Sequence, residues 1–379
     1  MTTKSRNLGI YSGMIDEARR QGSLYPVARP GAETQAKVRA VLGWCNLPEA
    51  PRDLQTEKSW EHDGLLGEEL SWDVGYGPRT RAWLIRPAGA VGPLPGVLAL
   101  HDHGGFKFHG KEKIAEGEVA APEYLRRYWR RYYGGRAWVN ALAREGFAVL
   151  AHDTFLWGSR GFPFETMQQS TPVRISEEAV EREARENNLP KEIVAYNQLS
   201  GHHEHLVSKY CNLLGTSIPG VVAHEDRIAL NVLRERPEID AQHLACMGLS
   251  GGGGRAGLLR ATAEGLKAAV IVGMMSTYEG LLDHNVNHTW MFYPFGWARH
   301  GEWPDLAACR APAPLLVQFD LGDELFTEAG MRAADERLRG HYEATSAPEN
   351  YTGQFYPGPH KFDVEMQEAA INWLKTHLR

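Results

Sequence analysis

Cysteine is scarce in this chain of 379 residues, and its four cysteines lie far apart, without a CxxC pair: Cys45, Cys211, Cys246 and Cys309. That spacing favours reduced thiols over a disulfide framework or a zinc knuckle. Uncharged apolar runs are short, and none approaches the roughly 18 residues of a membrane span. No apolar segment follows the first basic residues, so neither a signal peptide nor a membrane contact is expected. The sequence therefore predicts a soluble, cytoplasmic protein.

Clustered positive charge is lacking as well. The formal net charge is −6, and the 41 basic side chains are interspersed with 47 acidic ones. Nucleic-acid binding requires clustered Lys and Arg to contact phosphates, so no nucleic-acid partner is expected. What the chain does contain is 43% hydrophobic residues, enough to bury a large core in one or two domains. Homo-oligomerisation is left open.

The order of apolar and polar segments predicts an α/β fold. Residues 1–75 carry polar helical patterns broken by Pro and Gly, which indicate a helical N-terminal arm. Residues 76–379 alternate short apolar strands with helices, as a parallel sheet flanked by helices requires. Two stretches interrupt this catalytic domain, about 154–220 and 277–311, and are predicted to be insertions over its cleft. Strands are predicted at 81–86, 96–101, 147–153, 243–247, 266–275, 314–320 and 352–357, and helices at 137–145 and 221–236.

The segment LACMGLSGGGGRAGLL, residues 244–259, contains two competing motifs. Residues 248–252 spell GxSxG, the turn that exposes a nucleophilic serine, whereas residues 252–257 spell GxGxxG, a turn that binds a pyrophosphate. A dinucleotide site also needs an acidic residue at the end of the next strand, about 20 residues on. Glu279 comes several residues too late for that role. The serine motif, with Ser250 as nucleophile, is therefore preferred.

Two downstream loops supply the partners that a nucleophilic serine needs. Asp323 follows the predicted strand PLLVQFD, and His360 follows the last predicted strand. Loops at the carboxyl ends of parallel strands meet at one edge of the sheet. An imidazole can there accept the serine proton while a carboxylate holds its tautomer. The sequence thus predicts a triad of Ser250, His360 and Asp323, with Asp320 as the competing acid.

Further residues are predicted around this triad. The amide of Gly251 would stabilise an oxyanion, and a second amide would come from the loop HDHGGF, with His103 and Gly104 as candidates. Aromatic residues beside a cleft often line a pocket. On that basis three residues are assigned to the substrate pocket: Trp157, His288 and Trp290.

Two further motifs remain ambiguous in the sequence. In GHHEHL, residues 201–206, His202 and His205 have a spacing that could bind zinc. No second ligand group is identifiable, so packing of an insertion is preferred and no metal is predicted. RRYWRRYYGGR, residues 126–136, is interpreted as an amphipathic segment that buries its rings and solvates its guanidiniums. An anionic substrate and a subunit contact are the alternatives there.

Six segments together resemble the dienelactone-hydrolase and acetyl-xylan-esterase branch of the α/β-hydrolase superfamily, over about residues 80–379. They are GVLALHDHGG, FAVLAHDTFLWGSRG, LACMGLSGGGGRAG, NHTWMFYPFG, PLLVQFDLGDELF and FYPGPHKF. The resemblance implies hydrolysis of small carboxylic esters by the triad Ser250, Asp323 and His360, without a cofactor. Dienelactone hydrolases often use cysteine as nucleophile, so serine favours an esterase or deacetylase. A peptidase or amidase, a carbon–carbon hydrolase and a catalytically silent ligand-binding protein are the alternatives.

Overall fold

A twisted sheet with six parallel strands forms the centre of the molecule. The computed structural model describes residues 7–22, 24–282 and 286–378. Within that part, nine strands are hydrogen-bonded in the order β1-β2-β3-β5-β4-β6-β7-β8-β9. The pairs β1–β2, β2–β3 and β3–β5 are antiparallel, and all other neighbouring pairs are parallel. The strands are β1 Arg52–His62, β2 Leu65–Asp73, β3 Thr80–Pro87, β4 Leu94–Leu100, β5 Ala148–His152, β6 Ile239–Leu249, β7 Ala268–Val272, β8 Leu315–Asp320 and β9 Tyr351–Tyr356.

Helices cover both faces of the sheet. Every residue of β5, β7 and β8 is buried, as expected for parallel strands with a helical layer on each side. Neighbouring residues of a strand point into different cores: Leu98 packs into one and Val97 into the other. The helices are α1 Gly13–Gln21, α2 Ala32–Leu42, α3 Glu123–Tyr132, α4 Trp138–Arg144, α5 Phe164–Ser170, α6 Glu177–Asn187, α7 Lys191–Leu213, α8 Ile218–Arg234, α9 Gly251–Thr262, α10 Glu279–Leu282, α11 Trp303–Ala308, α12 Glu328–Ala344 and α13 Val364–His377.

The predicted mostly parallel sheet flanked by helices is confirmed, but a helical arm over the whole of 1–75 is wrong. Among the described residues of that region, 7–22 and 24–75, the regular helices are α1 and α2, whereas residues 52–73 form the hairpin β1–β2 at one edge of the sheet. Nearly every residue of β1 is exposed. The strand therefore lacks the alternation of apolar and polar residues by which a strand is predicted from sequence. In β2 the buried residues include Glu68, which forms ion pairs with Arg86 and Arg236. A charged residue at a buried position interrupts the apolar pattern that would predict this strand.

The first interruption of the alternating pattern is mostly helical, whereas the second combines short helices with loops. The first, 154–220, contains α5, α6 and the 23-residue helix α7. The second, 277–311, contains the short helices α10 and α11 and single turns at Trp290–Phe292 and Trp297–Arg299. Across the described ranges, no helix combines the length and the apolar character that crossing a membrane requires.

Candidate active site

Ser250 lies on a tight turn between β6 and α9, here called the elbow. Its backbone has φ 55° and ψ −124°, a conformation that costs a residue with a side chain of order 1–3 kcal/mol. The turn is held by the Ser250 amide, which donates to the Val272 carbonyl of β7 at 2.8 Å. It is also crowded, because a Cβ on Gly248, which belongs to GxSxG alone, would lie 2.4 Å from the Leu100 carbonyl oxygen, and one on Gly252, which both motifs share, would lie 2.0 Å from it. A Cβ on Gly254 would meet its nearest neighbour at an ordinary 3.5 Å. The close approach thus falls on the GxSxG motif.

His360 and Asp323 meet at the carboxyl ends of β8 and β9. The Nδ1 atom of His360 lies 2.6 Å from Oδ2 of Asp323. A contact this short to a carboxylate places a proton on Nδ1, which leaves Nε2 free to accept another. Burial alone would lower the pKa of His360, but the hydrogen bond to Asp323 and the neighbouring carboxylates raise it above its ordinary value. Ser250 and His360 line the same cavity, whose volume is about 320 Å³.

Asp320 is the last residue of β8, just before the loop that carries Asp323, and contacts another partner. Its Oδ2 accepts the backbone amide of Lys361 at 3.0 Å. Burial raises the pKa of Asp320 to about 7, against the opposing effects of that amide and of His360. Asp320, Asp323 and His360 each bring a ligand atom within 4.8 Å of the others, a spacing that metal ligands also adopt. The hydrogen bond between His360 and Asp323 nevertheless engages one ligand atom of each.

The loop after β4 places a second backbone amide beside the elbow. A Cβ built on Gly251 would lie 2.6 Å from the amide nitrogen of His103, so the two backbones are in close contact. Gly104 has φ +57°, and a Cβ there would lie 2.1 Å from the Tyr128 hydroxyl. The glycine therefore allows the loop to turn under Tyr128. This arrangement favours the amide of His103 over that of Gly104 as the partner of the Gly251 amide.

The carboxylate of Asp102 fixes this loop through contacts with buried side chains. It accepts the Tyr133 hydroxyl at 2.5 Å and the Lys113 ammonium at 3.3 Å, and it also accepts the Tyr128 hydroxyl. Lys113 itself is fully buried, so the loss of either Lys113 or Asp102 would leave the other charge buried and unpaired, at a high cost. Tyr128 is thereby fixed between the loop and the catalytic cavity.

Helix α7 holds the same loop from the other side. Oε2 of Glu204 lies 3.1 Å from Nε2 of His103 and also forms a buried ion pair with Lys107. Nδ1 of His103 accepts the Gly105 amide at 3.1 Å, so Nε2 carries the proton that is donated to Glu204. Burial would raise the pKa of Glu204, but His103 and Lys107 outweigh it and hold that pKa well below its usual range. The predicted packing role of GHHEHL therefore acquires a specific contact.

The predicted pocket residues occupy three different places. His288 lines the cavity of Ser250 and His360, and burial, together with nearby His103 and His360, lowers the pKa of His288 to about 4. Trp157 is 1% exposed and donates its indole N–H to the His103 carbonyl at 3.3 Å, behind the loop. Trp290 lines a separate cavity of about 330 Å³ and donates to His205. Among the described residues, the pocket wall instead includes Tyr128, Tyr132, Asn287 and Leu325, which the sequence analysis did not identify. The two tyrosines could have been found from their spacing, because residues four apart on a helix lie on the same face.

The sheet order and the positions of the elbow and loops define an α/β-hydrolase fold. No family model matches the chain. A curated protein of Bacillus subtilis (strain 168), "Putative hydrolase YtaP", is 22% identical over 350 residues, which is 92% of this chain and 99% of that protein.

Solved structures share this fold. A structure described as a "putative acetyl xylan esterase" from Bacteroides fragilis NCTC 9343 matches with TM-score 0.64 and 18% identity, over 92% of this chain and 82% of its own. A glucuronoyl esterase from Solibacter usitatus matches with TM-score 0.63 and 12% identity, over 94% of this chain and 98% of its own. The fold expected from the resemblance in the sequence is thus confirmed.

Proposed function

We propose that the protein is a serine hydrolase that cleaves small carboxylic esters through an acyl-enzyme intermediate. The observation that carries this proposal is the 2.6 Å contact between His360 and Asp323 at the cavity that Ser250 also lines. The fold similarity to proteins described as an acetyl xylan esterase and a glucuronoyl esterase supports it. A carboxylesterase or acetyl esterase activity is the form of the proposal that best fits a serine nucleophile.

In this mechanism each group has a defined role. Nε2 of His360 removes the proton of Ser250, whose oxygen attacks the ester carbonyl carbon and forms a tetrahedral oxyanion. The backbone amides of Gly251 and His103 donate to that oxyanion, each contributing about 3 kcal/mol to transition-state stabilisation. His360 then protonates the leaving alcohol and afterwards activates the water that releases the acid. The carboxylate of Asp323 stabilises the imidazolium at both stages.

A catalytically silent binding protein is the less favoured alternative. Such a protein would gain nothing from a strained serine backbone and from a carboxylate held against the neighbouring imidazole. Peptidase, amidase and carbon–carbon hydrolase activities would use the same residues and differ in the leaving group. Matched ester, amide and β-diketone substrates therefore separate these activities by their kcat/KM values.

Covalent labelling tests the proposal directly. We expect the purified protein to hydrolyse p-nitrophenyl acetate and to lose that activity as a fluorophosphonate adds to it one to one. Peptide mass spectrometry should then find the phosphonyl group on Ser250, because only an activated serine hydroxyl reacts quickly with such reagents. Labelling of a different residue, or hydrolysis that survives full labelling, would refute the proposal.

The pH dependence follows from the electrostatics of His360. Only the neutral imidazole can accept the proton of Ser250, and the pKa of His360 is raised by Asp323. We therefore expect kcat/KM to rise with pH through a limb centred above the ordinary histidine value of about 6.5. A pH series with p-nitrophenyl acetate measures this limb. A limb centred below the ordinary value would contradict the proposed role of Asp323.

The cellular location is proposed on the cysteines. All four are unpaired in the structure, and burial raises the pKa of the Cys246 and Cys309 thiols to about 12. Buried thiols of this kind suit a reducing compartment, which supports a cytoplasmic enzyme acting on small esters.

A further inference from the structure

One face of helix α3 forms the wall of a second cleft. Residues three and four apart on a helix share a face, and Tyr124, Arg127, Tyr128, Arg131 and Tyr132 all line this cleft of about 210 Å³. Tyr128 and Tyr132 also line the catalytic cavity, as do two glycines of the loop after β4. The second cleft therefore continues the cavity that contains Ser250.

Two positive charges face this cleft without an acidic partner. Arg127 donates to the Asn187 carbonyl at 3.1 Å, and the guanidinium of Arg131 lies 5.1 Å from the centre of the Tyr132 ring. Over the part of the chain that is described, neither guanidinium has a carboxylate within 4.0 Å. On the outer face of the same helix, by contrast, Arg126 and Arg130 both pair with Glu123.

The other charged group of the cleft does not cancel this excess. Glu183 lines the cleft as its acidic member and accepts the Gln198 amide at 2.6 Å. Two guanidiniums against one carboxylate leave the cleft positive. The neighbouring carboxylate of Asp102 is already compensated by Lys113. A planar guanidinium is well suited to bind a carboxylate through two parallel hydrogen bonds.

We propose that this cleft binds a carboxylate carried by the substrate at the end remote from the scissile ester. The rings of Tyr128 and Tyr132 would contact the part between the two groups, while Arg127 and Arg131 bind the anion. This inference rests on the proposed esterase function and specifies its substrate class: esters with an acidic substituent. It also gives RRYWRRYYGGR a function beyond packing.

Matched esters test the proposal on both sides of the scissile bond. On the acyl side, p-nitrophenyl hemiesters of succinate through suberate are compared with neutral p-nitrophenyl esters of equal chain length. On the alcohol side, acetates of 4-hydroxyphenylalkanoic acids are compared with the same acetates as methyl esters. We expect one side to show kcat/KM about 10-fold higher for the acid at low salt, a preference that salt reduces. Equal kcat/KM within every pair on both sides would overturn the proposal.

Paired variants locate the preference. The double variant Arg127→Gln, Arg131→Gln should bring the ratio of acidic to neutral kcat/KM to about one, mainly through KM. Arg126→Gln, Arg130→Gln removes the same charge from the outer face of the same helix and should leave the ratio as in the wild type. A ratio that falls equally in both variants would mean a general effect of net charge and would refute the cleft.

A binding measurement separates this proposal from the esterase function. In Ser250→Ala protein, calorimetry is done with one acid from each side, the p-nitrophenyl hemiester of suberate and the acetate of a 4-hydroxyphenylalkanoic acid. At least one of these two ligands should show binding that Arg127→Gln, Arg131→Gln weakens about 10-fold. If no ester is hydrolysed but this difference in binding appears, the esterase function fails and the anion site stands. If esters are hydrolysed but the two proteins bind both ligands equally, the anion site fails and the esterase function stands.

Discussion

Replacement of Ser250 by alanine is expected to lower kcat for p-nitrophenyl acetate on the order of 10⁵-fold, because no other group can form the acyl-enzyme. Residual turnover would come from the oxyanion amides, which remain in place. The comparison is made by steady-state kinetics at one pH above the rising limb. Retention of even a tenth of the activity would mean that another residue is the nucleophile.

A glycine at the same position controls for folding. Both Ser250→Ala and Ser250→Gly remove the hydroxyl, but only glycine adopts φ near 55° without strain. We therefore expect the free energy of unfolding to be higher for Ser250→Gly than for Ser250→Ala by about 1 kcal/mol, with both variants inactive. Denaturant titration measures this difference. If both variants are inactive although they differ in stability, misfolding is excluded as the cause of the lost activity.

Asp323→Asn is expected to lower kcat on the order of 10⁴-fold, because an amide facing Nδ1 of His360 favours the wrong tautomer of the imidazole. The rising limb of the pH profile should also move to lower pH, since the group that raises the pKa of His360 is lost. Pre-steady-state and pH-dependent kinetics of this variant measure both effects.

Asp320→Asn is the matched control, because it removes a carboxyl group from the end of β8, just before the loop that carries Asp323. Asp320 binds the Lys361 amide, and its influence on His360 acts through space alone. We expect kcat to change by less than about 10-fold, because the loss of the neighbouring Asp320 charge merely lowers the pKa of His360. If Asp320→Asn were the more damaging variant, the acid of the triad would have to be reassigned.

Particular residues explain what the sequence could and could not predict. The order of Ser250, Asp323 and His360 was readable because each follows an apolar strand of a parallel sheet, and such strands end at one edge. β1 was missed since an exposed, charged edge strand has no apolar period. The contact of His103 with Glu204 joins residues 101 positions apart, so no local pattern could indicate it.

The same limit applies to the pocket wall. Trp157 and Trp290 were chosen as large aromatic residues next to a predicted cleft, but composition does not say which way a side chain points. In the structure one supports the loop from behind and the other lines a different cavity. The tyrosines of α3 reach the catalytic cavity because the helix turns that face toward the loop, which depends on long-range packing.

The buried contact of Glu204 with Lys107 and His103 joins the first insertion, residues 154–220, to the loop after β4. Replacing Glu204 by a neutral residue would leave the ammonium of Lys107 buried and without its carboxylate, a state that costs about 3–5 kcal/mol. Grafting this insertion onto a related hydrolase would equally require transfer of all three residues. Evolution and engineering should therefore exchange these two segments together, because each compensates the buried charge of the other.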